Sequence, residues 1–483
     1  MDKSAAQTLY REYLESLTIG PLRVLARRAG VPARDCAGNK EKVIASIVSI
    51  LCGETMPQPR GSRGAPVKQD YLDPDILHRL DQIRRSLEKP ETGYENVFEV
   101  AASEPARPDP LDEPIYTGVL EIMQNGYGFL RAKNCQPSKI GNDVFIAAPL
   151  IHTYKLREGD FVACTAKPRT KNDSPAIDRI ISVNGYMIGK YEKRPAFDAL
   201  TAKYATEKIE LSEGNNTLSL RVLDLFAPLG KGQRALIIAP PKAGKTTILK
   251  DIARAISDNH GDIILLILLI DERPEEVTDI RSSVEGAQVI YSTFDEGAEH
   301  HIRAAELTMA HAKRLAEMGR DVVILLDSLT KLTRAYNNIT ESTGKTLSGG
   351  LDAGALAEPK RFFGAARATK EAGSVTVIAT ALVETGSRMD DIIYEEFKGT
   401  GNADVFLSRD LAERRIFPAI DIRRSGTRKE EFLLTEEELN AVYKLREKGL
   451  TENTAGILDT MKRTADNAEF VARLPEWLRV YKS

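Results

Sequence analysis

Eight consecutive apolar residues, Ile263 to Ile270, make the longest of several unbroken apolar runs along the chain. A run apolar on both faces predicts a central strand of a parallel sheet, because such strands are covered on both sides. Val322-Val-Ile-Leu-Leu-Asp327 and Val375 to Leu382 have the same character, and Ala235 to Ile238 is a shorter version. From 231 to about 425 such strands alternate with helix-compatible segments, which predicts a largely parallel α/β sheet. Upstream the period falls to two. Tyr116–Met123, Tyr127–Arg131, Asp143–Ile146 and Asp160–Thr165 alternate and are punctuated by Gly or Asn, predicting a small five-stranded barrel of OB type over 115–184.

The N-terminal period is helical. Tyr10, Leu14 and Leu17, then Leu22, Leu25, Ala26 and Ala29, then Val43, Ile44, Ile47 and Leu51 predict a small helical module over 1–52. Its Arg23, Arg27, Arg28, Lys40 and Lys42 read equally as phosphate contacts or as a solvated helix face. Residues 53–114 hold nine of the 23 prolines and read as a linker. One short helical stripe, Ile76, Leu80, Ile83 and Leu87, interrupts it. Residues 185–230 connect barrel to sheet, and the segment from Thr435 to Trp477 is helical.

Composition narrows the function classes. At 483 residues the chain exceeds one hydrophobic core. Its 67 basic and 70 acidic residues nearly cancel, so any nucleic-acid contact is local, through a patch or channel. Cys36, Cys52, Cys135 and Cys164 show no C-x-x-C pair, which suits a reducing compartment. The N-terminus has no basic start followed by an apolar stretch, and the run 263–270 is too short to span a bilayer. A cytoplasmic protein without membrane association is the expectation.

The chemistry begins at Ala239-Pro-Pro-Lys-Ala-Gly-Lys-Thr-Thr247, between a strand and a helix. This is a phosphate loop, G-x-x-x-x-G-K-[ST], with Ala239 at the first Gly position. The backbone of Pro241-Lys-Ala-Gly-Lys-Thr-Thr247 and the helix N-terminus predict a cradle for ATP phosphates. Lys245 is expected to reach the terminal phosphates and the Thr246 hydroxyl to ligate Mg²⁺. The 263–270 strand ends in Asp271-Glu272-Arg273, and Glu272 is placed to orient or deprotonate a water attacking the γ-phosphate. Asp327 ends the next strand in the form of a Walker B acid holding the Mg²⁺ shell. Late arginines, Arg414, Arg415, Arg423, Arg424 and Arg428, read as a solvated face or as a source of one finger for a neighbouring subunit's γ-phosphate. Phe417 reads as an adenine-stacking ring or as core.

A second constellation concerns nucleic acid. Tyr127, Phe129 and Arg131 alternate, so they share one strand face. Two rings and a guanidinium make a base-stacking platform for single-stranded RNA, with Phe145 on a neighbouring strand completing it. The competing reading is the barrel interior. Gly126 and Gly128 are expected to let a base approach the backbone. The loops 342–350, with Lys345, Thr346, Ser348 and Gly349, and 384–389, with Arg388, read as pore-facing cation loops or as plain surface loops.

Taken together, these residues resemble the bacterial transcription termination factor Rho family. The matching stretches are the phosphate loop, Leu269–Thr278, Asp327-Ser328, Arg361–Arg367, Tyr394–Asn402 and Arg424–Glu431. The resemblance implies an OB or cold-shock-like barrel joined to an α/β RecA-type P-loop ATPase domain over 231–483. It also implies a homohexameric ring, RNA-dependent ATP hydrolysis, 5′-to-3′ movement on RNA, and transcript release from RNA polymerase. By motif match Lys242, Lys245 and Thr246 resemble the phosphate and Mg²⁺ group and Glu272 the catalytic carboxylate. Arg273 resembles a nucleotide sensor, Arg428 the arginine finger and Phe417 the adenine stack. Tyr127, Phe129, Arg131 and Phe145 resemble the primary RNA site, and the two loops the pore site. The departures are Phe145 for the usual Tyr, Asn172–Pro175 for an acid and a Tyr, Arg388 for a Lys, and Lys331 for an Arg. A rotary-type ATPase subunit and an RNA-binding regulator with weak ATPase activity are the alternatives.

Overall fold

A computed structural model describes residues 10–51 and 114–480, apart from 12, 16, 29–30, 32–38, 133–142, 170–173, 189–190, 192, 215–216, 342–343 and 345. The expected linker, its helical stripe, Lys345 and Asn172-Asp173 therefore lie outside the described residues. These residues fall into two compact units, divided at Glu91 and Thr92.

The first unit contains α1 (Ile19–Arg28) and α2 (Lys40–Leu51). Their apolar stripes bury Leu22, Leu25, Val43, Ile44 and Ile47 together with Tyr10 and Leu14. That is the helical periodicity of the sequence turned into a small core.

The second unit opens with β1 (Ile115–Ile122), β2 (Gly128–Arg131) and β3 (Val144–Ile146). The helical turn α3 (Ala148–Thr153), β4 (Phe161–Lys167), β5 (Ala176–Val183) and the short β6 (Tyr186–Met187) come next. The strand order is β3-β2-β1-β4-β5-β6, and a parallel contact at Phe145 and Ala176 closes β3 onto β5. Leu120, Leu130, Val144, Ile146, Val162 and Cys164 fill the interior. Alternation therefore predicts the barrel correctly, with β6 as a short extension. Gly128 has a packing role as well: a Cβ there would lie 2.6 Å from the Glu121 carbonyl and 2.8 Å from Leu120 Cδ1, so its bareness lets the strands pack.

The nucleotide module comes after the short strand β7 (Ala202–Lys203) and α4 (Leu218–Phe226). It comprises β8 (Arg234–Ala239), α5 (Lys245–Asn259), β9 (Ile263–Glu272), α6 (Pro274–Ser283), β10 (Gln288–Thr293), α7 (Ala298–Glu317), β11 (Asp321–Asp327) and α8 (Leu329–Ile339). After α9 (Ala357–Gly364) come β12 (Arg367–Thr369), β13 (Ser374–Leu382), α10 (Arg388–Phe397), β14 (Ala403–Phe406), α11 (Arg409–Glu413) and β15 (Gly426–Thr427). The chain ends in helices between Glu436 and Val480. The main sheet runs β10-β9-β11-β13-β8-β14-β15. Its pairs from β10 across to β14 are parallel, and β15 is antiparallel at the edge. Residues 263–270 are buried throughout, which is why that segment carries no polar alternation. A parallel sheet gathers its loops at the carboxyl ends of the strands, and the site forms there.

Barrel and sheet meet tightly within this second unit. Gly159 has φ +85° and lies against α7, where a Cβ would come 2.3 Å from the carbonyl carbon of Ala310. Only glycine meets both demands, the left-handed backbone and the close approach. Around it, the buried Arg194 pairs with Asp160 at 2.6 Å and Glu317 at 3.2 Å, and Arg157 reaches Glu317 at 3.1 Å.

Candidate nucleotide and RNA sites

The phosphate loop leaves β8 at Ala239, with exposed Pro241 and Lys242, buried Ala243, and Gly244 in the left-handed region as the cap of α5. Lys242 also has positive φ, at 65°. Lys245, Thr246 and Thr247 form the first turn of α5, so their amides face outward without helical partners.

Two neighbouring strand ends converge on Lys245. Its Nζ lies 2.6 Å from Asp327 Oδ1 and 3.4 Å from Glu272 Oε1. Burial alone would lower the lysine's pKa, but the two carboxylates outweigh it and raise the value. The ammonium is therefore held charged. Asp327 Oδ1 also accepts from Thr380 Oγ1 of β13 at 2.8 Å. Glu272 Oε1 accepts from Lys331 Nζ of α8 at 2.6 Å, and the same ammonium donates to the Asp271 carbonyl at 2.7 Å. Glu276, in the first turn of α6, has a raised pKa through burial and then through Glu272 itself. Arg273 is exposed as the cap of α6. Lys245, Thr246, Glu272, Arg273, Glu276 and Lys331 line an open cleft of about 970 Å³ with Phe294 at its rim.

A hydroxyl at Thr246 and a carboxylate at Asp327 are hard oxygen donors of the kind Mg²⁺ takes, with phosphates and water completing its shell. Among the described residues no cluster of three or more His, Cys, Asp or Glu forms a metal cage. The donor set therefore fits a metal that arrives with a nucleotide. Phe417 is 47% exposed. It stands at the carboxyl end of β14, where Ser408 N–H donates to the Ala419 carbonyl and Leu407 pairs with Ile420. That is the loop end of the sheet, and the core reading of this ring is excluded.

Arg428 stands at the opposite end. β15 pairs with β14 at Thr427 and Ala403, and Ala403 pairs with Ala235 at the start of β8. The Arg428 amide donates to the Asn402 carbonyl at 2.8 Å, and its side chain is exposed. Three of the other late arginines are engaged locally: Arg414 with Asp410, Arg423 with Glu452, and Arg424 over the Phe406 ring at 4.1 Å.

On the barrel, Tyr127, Phe129 and Phe145 form one cluster, with ring centroids 5.6 to 5.9 Å apart. All three are half-buried, so this face is neither interior nor free surface. Arg131 shares it but is corrected in depth. Only 6% exposed, it donates from Nε to Glu121 at 2.5 Å and from Nη1 to Asp143 at 2.6 Å. Its guanidinium lies 4.8 Å from the centre of the Phe129 ring. It supports the platform from beneath.

The two candidate pore loops meet. Leu347 N–H donates to the Leu351 carbonyl, closing a tight turn around exposed Ser348 and Gly349, with exposed Thr346 just before it. A Cβ on Gly349 would come 2.8 Å from the amide of Met389, beside exposed Arg388. Behind them Asp390, fully buried, accepts from Arg334 of α8 at 2.8 and 2.7 Å and from Thr385 at 2.6 Å. Sequence reading missed Thr380, Arg334 and Asp390 and gave Lys331 no contact, because no motif marks them. Their one signal is position, on the strand or helix leaving a motif residue.

Comparison with known proteins falls along the same division. Residues 116–188 match the Rho termination factor RNA-binding domain, and residues 219–427 match the ATP synthase alpha/beta family nucleotide-binding domain. Transcription termination factor Rho of Bacillus subtilis is 51% identical over 366 residues, covering 74% of this chain and 85% of that protein. The Aquifex aeolicus protein of the same name is 51% identical over 364 residues, covering 73% and 83%. That of Borreliella burgdorferi is 49% identical over 362 residues, covering 74% and 70%.

Proposed function

The chain belongs to the transcription termination factor Rho family, and from that premise we propose a homohexameric ring that moves 5′ to 3′ along a nascent transcript and releases it from RNA polymerase. It is an RNA-binding, ATP-hydrolysing termination factor.

ATP phosphates lie in the loop 241–247, with Lys242 and Lys245 as cations and adenine against Phe417. Mg²⁺, held by Thr246 and Asp327, would neutralise phosphate charge when bound. Glu272 orients the attacking water and holds its proton, and Arg273 senses the nucleotide. Lys331 keeps the Glu272 carboxylate fixed at 2.6 Å, so its orientation is set before substrate arrives. Arg428 completes the site from a neighbouring copy. Single-stranded RNA stacks on Tyr127 and Phe129, with Phe145 beside them. The loops carrying Lys345, Thr346, Ser348, Gly349 and Arg388 contact RNA in the ring's channel.

The observation that carries this reading is α8. One of its residues, Lys331, grips Glu272, and three residues later Arg334 grips Asp390 behind the channel loop. A single rigid helix thus links the hydrolytic carboxylate to the RNA-facing loop, which supports RNA-gated hydrolysis. The half-exposed aromatic cluster favours it over a rotary subunit, whose barrel needs no stacking surface. The family's workplace, the cytoplasm, suits a chain in which no described helix is long and apolar enough to cross a membrane. The test is ATP turnover with and without pyrimidine-rich RNA. Stimulation is expected, and equal rates would refute the motor.

A further inference from the structure

We propose that Arg169 is the phosphate ligand of the barrel's RNA face, filling the place at the surface that the buried Arg131 leaves open. The proposal rests on the reading that Tyr127 and Phe129 stack RNA bases, and it adds the group that holds the backbone.

A stacking platform needs a cation, since aromatic rings give bases a surface but leave the phosphates unneutralised. The sequence offers Arg131 for that part. Its guanidinium, however, is committed to Glu121 and Asp143 under the Phe129 ring. Withdrawing it would break two buried ion pairs at once and leave Glu121 to the half-exposed Arg303, 3.0 Å away. The cation must therefore come from elsewhere on the same face.

Arg169 is in that position. It lies two residues past the end of β4 and is exposed. Its guanidinium carbon lies 4.6 Å from the centre of the Phe145 ring. Phe145 is in turn 5.6 Å from Tyr127 and 5.8 Å from Phe129. The ring beneath it is fixed, because the Phe145 amide donates to the Pro175 carbonyl at 2.7 Å and its strand pairs with β5 at Ala176. The neighbouring Lys167 is engaged by Asp178 at 2.8 Å. Among the described residues, no carboxylate forms an ion pair with Arg169.

That environment sets the chemistry. Cation–π attraction restrains the guanidinium before any ligand arrives, so less side-chain freedom is lost on binding. The planar fork keeps N–H donors for a phosphate, which it matches bidentately. Because the guanidinium covers the Phe145 ring, bases stack on Tyr127 and Phe129 while Phe145 serves as the shelf for the cation.

The experiment measures binding of a pyrimidine-rich RNA oligonucleotide to the full chain, without nucleotide, across a salt series. Each phosphate neutralised on a single strand contributes about 0.7 to the slope of log K against log salt. Arg169→Ala is expected to weaken binding and flatten the slope by about 0.7, the deficit shrinking as salt rises. Arg169→Lys should restore the slope but only part of the affinity, since a point charge replaces a fork. Arg179→Ala, which removes another exposed cation of the barrel, should leave the slope unchanged. An unaltered slope in Arg169→Ala overturns the proposal, even with affinity lost, since that pattern belongs to a stacking side chain. An equal flattening in Arg179→Ala overturns it too, as bulk charge. The underlying reading fails separately: if Tyr127→Ala with Phe129→Ala binds as wild type does, RNA is not on this face at all.

Discussion

Acidification from pH 7 to 5 should cost the fold stability through an imidazole that it keeps neutral, at the join between barrel and sheet. His311 of α7 is completely buried. Its Nδ1–H donates to the Gly159 carbonyl at 2.8 Å, the glycine that only just clears the α7 backbone. Burial draws its pKa down to about 4, against smaller raising effects from that hydrogen bond and from Asp160. The unfolded value is about 6.5. Folded lies below unfolded, so the unfolded chain takes up the proton first. The stability that neutrality confers is complete above about pH 6.5 and is lost as pH falls towards 4. At about 1.4 kcal/mol per pH unit, the loss is roughly 2 kcal/mol at pH 5 and roughly 3 at its limit.

Asp224 works in the opposite direction. Burial lifts its carboxyl to about 6, although Leu211 and Ser212 amides hydrogen-bond it. The folded chain therefore gains a proton there as pH falls below 6, adding roughly 1.4 kcal/mol at pH 5. In the wild type these two contributions largely offset each other. The informative measurement is urea unfolding of wild type and His311→Gln at pH 7, 6 and 5, since Asp224 cancels in the difference. The variant should be less stable at pH 7, and the gap should close by about 2 kcal/mol at pH 5. A gap that does not change with pH would refute the argument.

Four further outcomes are expected. Lys245→Ala should lower ATP turnover at least about a hundredfold in a phosphate-release assay, the scale of removing one preorganised charge-stabilising group, with barrel RNA binding intact. Mixed with Arg428→Ala subunits, it should regain turnover, because some interfaces then pair an intact Lys245 with an intact Arg428; no recovery would exclude a finger acting in trans. Tyr127→Ala and Phe129→Ala should each weaken RNA binding by about 1–3 kcal/mol in filter binding, and no loss would mean the rings carry no base. Arg334→Ala should leave RNA-independent hydrolysis largely intact while lowering RNA stimulation by about fivefold or more, the ordinary range of coupling between sites. An unchanged stimulation ratio would remove α8 from the route.

Legibility in the sequence tracks how local each constraint is. The run 263–270 can be read because burial on both faces leaves no freedom for polar residues, and the phosphate loop because its backbone demands fix residue types at fixed spacing. Period two places Tyr127, Phe129 and Arg131 on one face correctly. It cannot say that Arg131 lies beneath that face, because depth depends on Glu121 and Asp143, from other parts of the barrel. The packing demand on Gly128 is hidden for the same reason: what it must clear belongs to β1. Thr380, Lys331 and Arg334 act on carboxylates more than 50 residues away, and no local pattern records such a partner.

The sheet's polarity bears on the proposal that Arg428 serves a neighbouring copy's ATP site. Across the sheet from β10 to β14 the paired strands run the same way, so the phosphate loop, Glu272, Asp327 and Phe417 all stand at one end. Arg428 is anchored beside Asn402 and Ala235, at the other end of β8. The four steps from Ala235 to Ala239 span roughly 13 Å at about 3.3 Å per residue, along a strand that cannot fold back on itself. No side-chain motion within one chain closes that gap without dismantling β14. Repeating copies head to tail removes the difficulty, because each copy then offers its Arg428 end to its neighbour's loop end. Such a contact is heterologous, and closed heterologous contacts make a ring. In that proposed arrangement hydrolysis would require an interface, so a change there, transmitted from the loops at Gly349 and Arg388 through α8, would reach both Glu272 and Arg428.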